Sequence, residues 1–121
     1  MKLIIQIPCY NEEKTLPAVL AELPKAIKGI DKIETLVIND GSDDKTVAVA
    51  KECGVDHIVD LKTNFGLAYA FSAGIEASLK LGADLIVNTD GDNQYNGADI
   101  ENLVRPILKD EADLVIVELP L

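Results

Sequence analysis

The sequence predicts an open α/β fold, a mainly parallel sheet with helices on both faces. Five short aliphatic runs alternate with helical patterns along the 121 residues. The runs are nearly continuous in Ile, Val and Leu, as in strands covered on both faces. The composition is 48% hydrophobic but only 4% aromatic, so the core must be built from Ile, Leu, Val and Ala. That length fits one compact domain.

In order, the first strand is expected at Leu3–Ile7 and the first helix around Leu16, Val19, Leu20 and Leu23. These four sit at i, i+3, i+4 and i+7, with Thr15 as a cap and Pro17 tolerated in the first turn. A second strand spans Ile33–Asn39. Ser42 or Asp43 is expected to cap a helix running to Cys53, where Gly54 stops it. His57–Leu61 reads as the third strand. A helix then opens near Gly66, buries Leu67, Ala70, Phe71, Gly74, Ile75 and Ser78, and ends at Gly82. The fourth strand is Asp84–Thr89. Ile100, Leu103, Val104, Ile107 and Leu108 mark the last helix, before a fifth strand at Asp113–Val117. This β-α-β-α-β-α-β-α-β order is that of a Rossmann-like sheet. It has no internal repeat, and the ending Glu118-Leu119-Pro120-Leu121 is expected to be a terminal tail on a fold that stops short.

The net charge of −10 disfavours nucleic acid and anionic lipid as direct partners of these residues. It also means that a diphosphate needs a bridging cation, a helix N-terminus, or both. Cys9 and Cys53 form no CxxC, suit a reducing compartment, and are both expected to be buried apolar residues. No apolar run is long enough to span a bilayer, and the N-terminal run is too short and interrupted for a signal peptide.

Polar residues cluster after three of the strands, on the edge where ligands bind in such sheets. They are Pro8-Cys9-Tyr10-Asn11-Glu12-Glu13, Asn39-Asp40-Gly41-Ser42-Asp43-Asp44 and Asp90-Gly91-Asp92-Asn93-Gln94. Asp90 and Asp92, two apart on extended chain, can face one ion, and Gly91 between them allows close ligand approach. Hard oxygen ligands suit Mg2+ or Mn2+. Asp40 can accept from a base N–H or a ribose hydroxyl, while Asp43 and Asp44 suit a helix N-terminus. Tyr10 can lie against a base. Asn64 and the amides near Gly66 can meet a ribose or phosphate. Lys62 reads as a solvated lysine, and His57, without a second ligand at metal spacing, is given no catalytic role.

Together these loops resemble family 2 glycosyltransferases, which have the GT-A fold. The matching pieces are Ile7 to Glu13, Val37 to Thr46, Asn64-Phe65-Gly66 with the helix after it, and Asp90 to Gln94. The stretch from Asp90 to Tyr95 looks most like the polyprenyl-phosphate sugar synthase branch. The resemblance implies that Pro8, Tyr10, Asn11 and Glu12 border a UDP or GDP sugar. It places Asp40, next to Ile38, at the base or ribose, and Asn64 and Gly66 beside the donor. Asp90, Gly91 and Asp92 would lie at the diphosphate, with Asp90, Asp92 and Gln94 around a Mg2+ or Mn2+ ion. It further implies sugar transfer with inversion to an acceptor, a lipid phosphate in that branch, in a cytoplasmic setting at a membrane face. Residues 1–117 would be the donor-binding part, with the acceptor half and any catalytic base outside this chain. A response-regulator receiver domain is the main rival, but its phosphorylated Asp should end strand three, which here reads Asp60-Leu61-Lys62. A non-catalytic nucleotide-sugar-binding module is the other alternative. A dinucleotide site lacks its GxGxxG in the first turn.

Overall fold

The computed structural model describes residues 1–89, 99–107 and 115–118. The elements are β1 (Lys2–Cys9), α1 (Leu16–Glu22), β2 (Lys32–Asn39), α2 (Thr46–Glu52), β3 (His57–Asp60), α3 (Leu67–Lys80), β4 (Leu85–Asn88), α4 (Asp99–Ile107) and β5 (Val115–Glu118). The strands form one five-stranded sheet in the order β3-β2-β1-β4-β5. All four pairings are parallel, so every strand ends at the same edge. The strand order reverses at β1, where crevices for ligands form in open α/β sheets. β5 reaches Glu118, which lies opposite Asn88.

Alternation along β1 divides the core. Leu3, Ile5, Ile7 and Cys9 point to the face covered by Leu16 and Val19 of α1, Ala50 of α2, and Ile100 and Val104 of α4. Ile4 points the other way, with Leu36 and Ile38 of β2, onto Ala70 of α3. Each fully buried Ile or Leu contributes about 1.5–3 kcal/mol relative to exposure.

α1 follows its pattern, and Leu23 takes up extended backbone (ψ 142°) because Pro24 follows it. Its Thr15 stands at the N-cap position but makes no cap bond; its hydroxyl donates instead to Glu12 Oε2 at 3.0 Å. Neither Ser42 nor Asp43 caps α2. That helix starts later, and the Asp44 carboxylate accepts the Thr46 amide at 2.9 Å. Gly54 does stop α2, at φ +78°.

The α3 stripe is narrower than expected. Ala70, Gly74 and Ser78 are buried, Phe71 and Ile75 are half-buried, and Leu67 is 56% exposed. Small residues four apart let the helix backbone lie close to the sheet, which leaves the larger neighbours at the flanks. A Cβ on Gly74 would come within 2.7 Å of Gln6 Oε1 and 2.8 Å of Ile38 Cδ1. In α4, Leu103 is exposed while Ile100 and Val104 are buried; Leu108 lies outside the described residues. Cys9 is buried, but Cys53 is exposed at the end of α2, contrary to the expectation that both are core residues.

At the opposite, N-terminal edge of the sheet, Glu34 is buried against two lysines and His57. Lys2 Nζ, Lys32 Nζ and His57 Nε2 lie 3.0, 3.3 and 3.2 Å from its carboxylate. Burial alone would raise its pKa. Hydrogen bonds from Lys2, His57 and Lys32 outweigh that and hold it at about 2. His57 thus has a structural partner far from the polar strand ends. Glu34→Gln is expected to cost about 1–2 kcal/mol at neutral pH. Because the folded pKa is depressed, Glu34's contribution is present above its ordinary value of 4.5 and is lost as pH falls towards about 2. Urea unfolding midpoints of the two proteins should therefore converge across that window.

Candidate functional site

The loops after β1, β2 and β3 are joined into one surface at the C-terminal edge of the sheet. Asn11 sits in left-handed backbone at φ +54°. Its side-chain oxygen accepts the Asp43 and Asp44 amides at 2.8 and 3.4 Å, and its own amide donates to Ser42 Oγ at 3.0 Å. The Glu12 amide donates to Thr46 Oγ1 at 2.9 Å, and the Glu13 amide to Asp44 Oδ2 at 3.2 Å. Asp44 also accepts the Thr46 hydroxyl. Burial would raise the Asp44 pKa, but the Thr46 hydroxyl and amide and the Glu13 amide hold it below the usual carboxylate range.

Asp40 is the centre of this edge. Its side chain is buried (4% exposed), and its oxygens accept the Phe65 amide at 2.8 Å and the Gly66 amide at 3.0 Å. Asn64 Nδ2 donates to the Asp40 carbonyl at 3.1 Å, and the Asp40 amide donates to the Cys9 carbonyl at 2.9 Å. One residue, just past the end of β2, therefore bonds both to the end of β1 and to the segment that leads from β3 into α3. Gly41, at φ +73°, lies directly beneath the crossing of Thr63 and Asn64: a Cβ there would fall 2.3 Å from the Asn64 nitrogen and 2.4 Å from the Thr63 carbonyl carbon. The Phe65 and Gly66 amides, expected from sequence to meet a ligand, are already held by Asp40. The amides of the first turn of α3 lack intrahelical acceptors by helix geometry.

Of the other candidates, Tyr10 is 45% exposed and Glu12 is half-buried. Pro8 and Ile38 are buried within their strands, paired with each other across β1 and β2. Asn64 is exposed. Phe65 and Tyr69 stack, with ring centroids 4.5 Å apart, on the outside of this edge. Asp90, Gly91, Asp92 and Gln94 lie outside the described residues. β4 ends at Asn88, and Thr89 follows with its amide bonded to the Gln6 carbonyl at 3.0 Å. The chain thus leaves β4 beside β1, just before the Asp90 segment. Among the described residues no group of three or more His, Cys, Asp or Glu side chains converges to hold a metal.

The loops owe part of their order to Asn39 and Asp60, to which the sequence assigned no role in the site. Asn39 Nδ2 donates to Asp60 Oδ1 at 3.0 Å, which also accepts the Lys62 amide at 3.1 Å, while Asn39 Oδ1 accepts the Ser42 amide at 3.1 Å. Both are the last residues of paired strands and stand opposite each other. Polar ends on adjacent strands were the available signal.

The model of the family described as Glycosyl transferase family 2 matches residues 4–121. An uncharacterized protein of Methanocaldococcus jannaschii is 35% identical over 118 residues, covering 95% of this chain and 45% of that protein. The undecaprenyl-phosphate mannosyltransferase of Micrococcus luteus is 32% identical, covering 96% of this chain and 47% of its own length. The dodecaprenyl-phosphate galacturonate synthase of Rhizobium johnstonii is 30% identical, covering 96% and 35%. The chain thus spans less than half the length of these curated relatives. Among solved structures, glucosyl-3-phosphoglycerate synthase from Mycobacterium tuberculosis, in complex with Mn2+, UDP and glucosyl-3-phosphoglycerate, superposes with a TM-score of 0.74 at 24% identity. The match covers 91% of this chain and 40% of that one. The fold is the one these glycosyltransferase structures share, the GT-A arrangement expected from sequence.

Proposed function

The chain belongs to glycosyl transferase family 2, and from that premise we propose that residues 1–117 are the donor-binding part of an inverting glycosyltransferase. The observation that carries the proposal is the Asp40-centred junction of three strand-end loops at the sheet's ligand-binding edge. Asp40, supported by the buried strand ends at Pro8 and Ile38, faces the base or ribose of a nucleoside diphosphate sugar. Tyr10 lies against the base, Asn11 and Glu12 border it, and Asn64 and Gly66 flank the donor. Two of these relatives are named for polyprenyl-phosphate substrates, which supports a lipid phosphate as the acceptor. In the reaction the acceptor oxygen attacks the anomeric carbon and the nucleoside diphosphate leaves. Any base that takes the acceptor proton is supplied from outside these residues.

Asp90, Asp92 and Gln94 are the residues proposed to hold Mg2+ or Mn2+. A divalent cation would offset the diphosphate's charge in a chain of net charge −10. Similar structures solved with UDP and Mn2+ or Mg2+ support that choice. The test is calorimetric titration of the chain with UDP and GDP, with and without Mn2+. One nucleotide should bind in a Mn2+-dependent way, and Asp92→Ala should weaken it by at least about tenfold, or 1.4 kcal/mol. Absence of binding by both nucleotides with Mn2+ present would refute donor binding by these residues. Unchanged affinity in Asp92→Ala would refute the metal assignment.

A further inference from the structure

A fully buried glutamine interrupts the aliphatic run of β1. Gln6 is 0% exposed, and its amide is engaged on three sides. Nε2 donates to Asn88 Oδ1 at 3.0 Å and to the Phe71 carbonyl at 3.2 Å, while Oε1 accepts the Ser78 hydroxyl at 3.4 Å. Asn88 is itself 4% exposed and stands directly opposite Gln6 in the β1–β4 pairing. The Gln6 carbonyl accepts the next amide, that of Thr89, at 3.0 Å. Main chain and side chain of one residue therefore grip two consecutive residues at the end of β4. The chain that follows immediately is the Asp90 segment.

Packing alone does not call for this pair. A parallel strand covered on both faces is ordinarily filled with Val, Ile and Leu, and burying two amides costs free energy unless each is bonded. What the pair supplies is discrimination. Side chains alternate faces along a strand, so a one-residue slip of β4 against β1 would turn Asn88 to the opposite face, break its bond to Gln6 and leave Gln6 with only its α3 partners in the core. Aliphatic pairs such as Ile4 and Ile86 penalise such a slip far less, because apolar contact is non-directional. Helix α3 closes the arrangement, since Gly74 leaves room for the Gln6 amide, whose Oε1 a Cβ there would meet at 2.7 Å.

We propose that Gln6 and Asn88 form a buried register lock, with Gln6 acting as a positioning residue that fixes where the chain leaves β4 towards the donor site. The purpose assigned to that strand end rests on the donor-binding reading above; the lock does not.

The test replaces both partners with apolar residues of similar shape, Gln6→Met with Asn88→Leu, which leaves neither amide orphaned. The double variant should unfold within about 5 °C of the unsubstituted chain. Its Thr89 amide should exchange with solvent at least about tenfold faster, and its Mn2+-dependent affinity for whichever of UDP and GDP the unsubstituted chain binds should fall by a similar factor. A merely structural pair would move neither the exchange nor the affinity, and a variant unchanged in both would overturn the proposal. If the unsubstituted chain binds neither UDP nor GDP with Mn2+ present, the donor reading fails, and Thr89 exchange alone decides the lock: faster exchange supports it and unchanged exchange overturns it. Should the double variant not fold, Asn88→Ala is read by the same Thr89 exchange, with the same two outcomes.

Discussion

Gly41→Ala is expected to destabilise the chain by about 3 kcal/mol or more, lowering its melting temperature by roughly 10 °C. Two effects add. A non-glycine residue at φ +73° incurs a backbone penalty of about 1–2 kcal/mol. The added methyl would also overlap main-chain atoms of Thr63 and Asn64, which cannot swing aside as a flexible side chain could. Relief requires the loop after β3 to lift off, and that strains the bonds from Asp40 to the Phe65 and Gly66 amides. Gly54→Ala is the control. Its φ is +78°, but a Cβ there meets nothing within 4 Å, so only the backbone penalty applies. Urea unfolding of the two variants separates the contributions, and equal losses would show that the crossing at Gly41 is not tight.

Asp40→Asn should have the second-largest effect. An amide presents one acceptor oxygen where the carboxylate presents two, so one of the Phe65 and Gly66 amides would face an NH2 group instead of an acceptor. The expected loss is about 2 kcal/mol, the scale for hydrogen bonds to a charged group. Nucleotide affinity should fall as well. Amide exchange at residues 65 and 66 separates two routes. Lost protection would mean that Asp40 acts on the ligand by shaping the loop. Retained protection with lost affinity would mean that its carboxylate meets the nucleotide itself.

The layered sheet was legible because strand and helix periods differ and the aliphatic runs are nearly continuous. The strand-end loops were legible because Asn, Asp, Ser and Gly gathered after β1 and β2. What escaped was long-range pairing. Nothing local shows that Asn11 receives amides from Asp43 and Asp44, or that Asp40 holds the Phe65 and Gly66 amides, because loop partners more than 20 residues apart are chosen by the sheet order. The helix stripes misled in a specific way. Hydrophobicity marked Leu67 and Leu103 for the interior, yet Leu67 lies in the first turn of α3, level with the strand ends, and Leu103 flanks the face defined by Ile100 and Val104. In α3 the interior position went to the smallest residues, because closeness of approach rather than side-chain size decided the contact. Gln6 followed the same logic in reverse, a polar residue buried because its partners were supplied by β4 and α3.

That close approach of α3 also limits how the sequence can drift. Positions 6, 38 and 74 share one small volume, with the Gln6 amide and the Ile38 methyl both pressed to where a side chain at 74 would begin. A methyl group gained at 74 must be matched by a shift or a loss of side-chain atoms at 6 or 38, so these sites should change together among related chains. An alignment of relatives should show alanine or larger at the position of Gly74 only where a smaller residue stands at the position of Gln6 or Ile38.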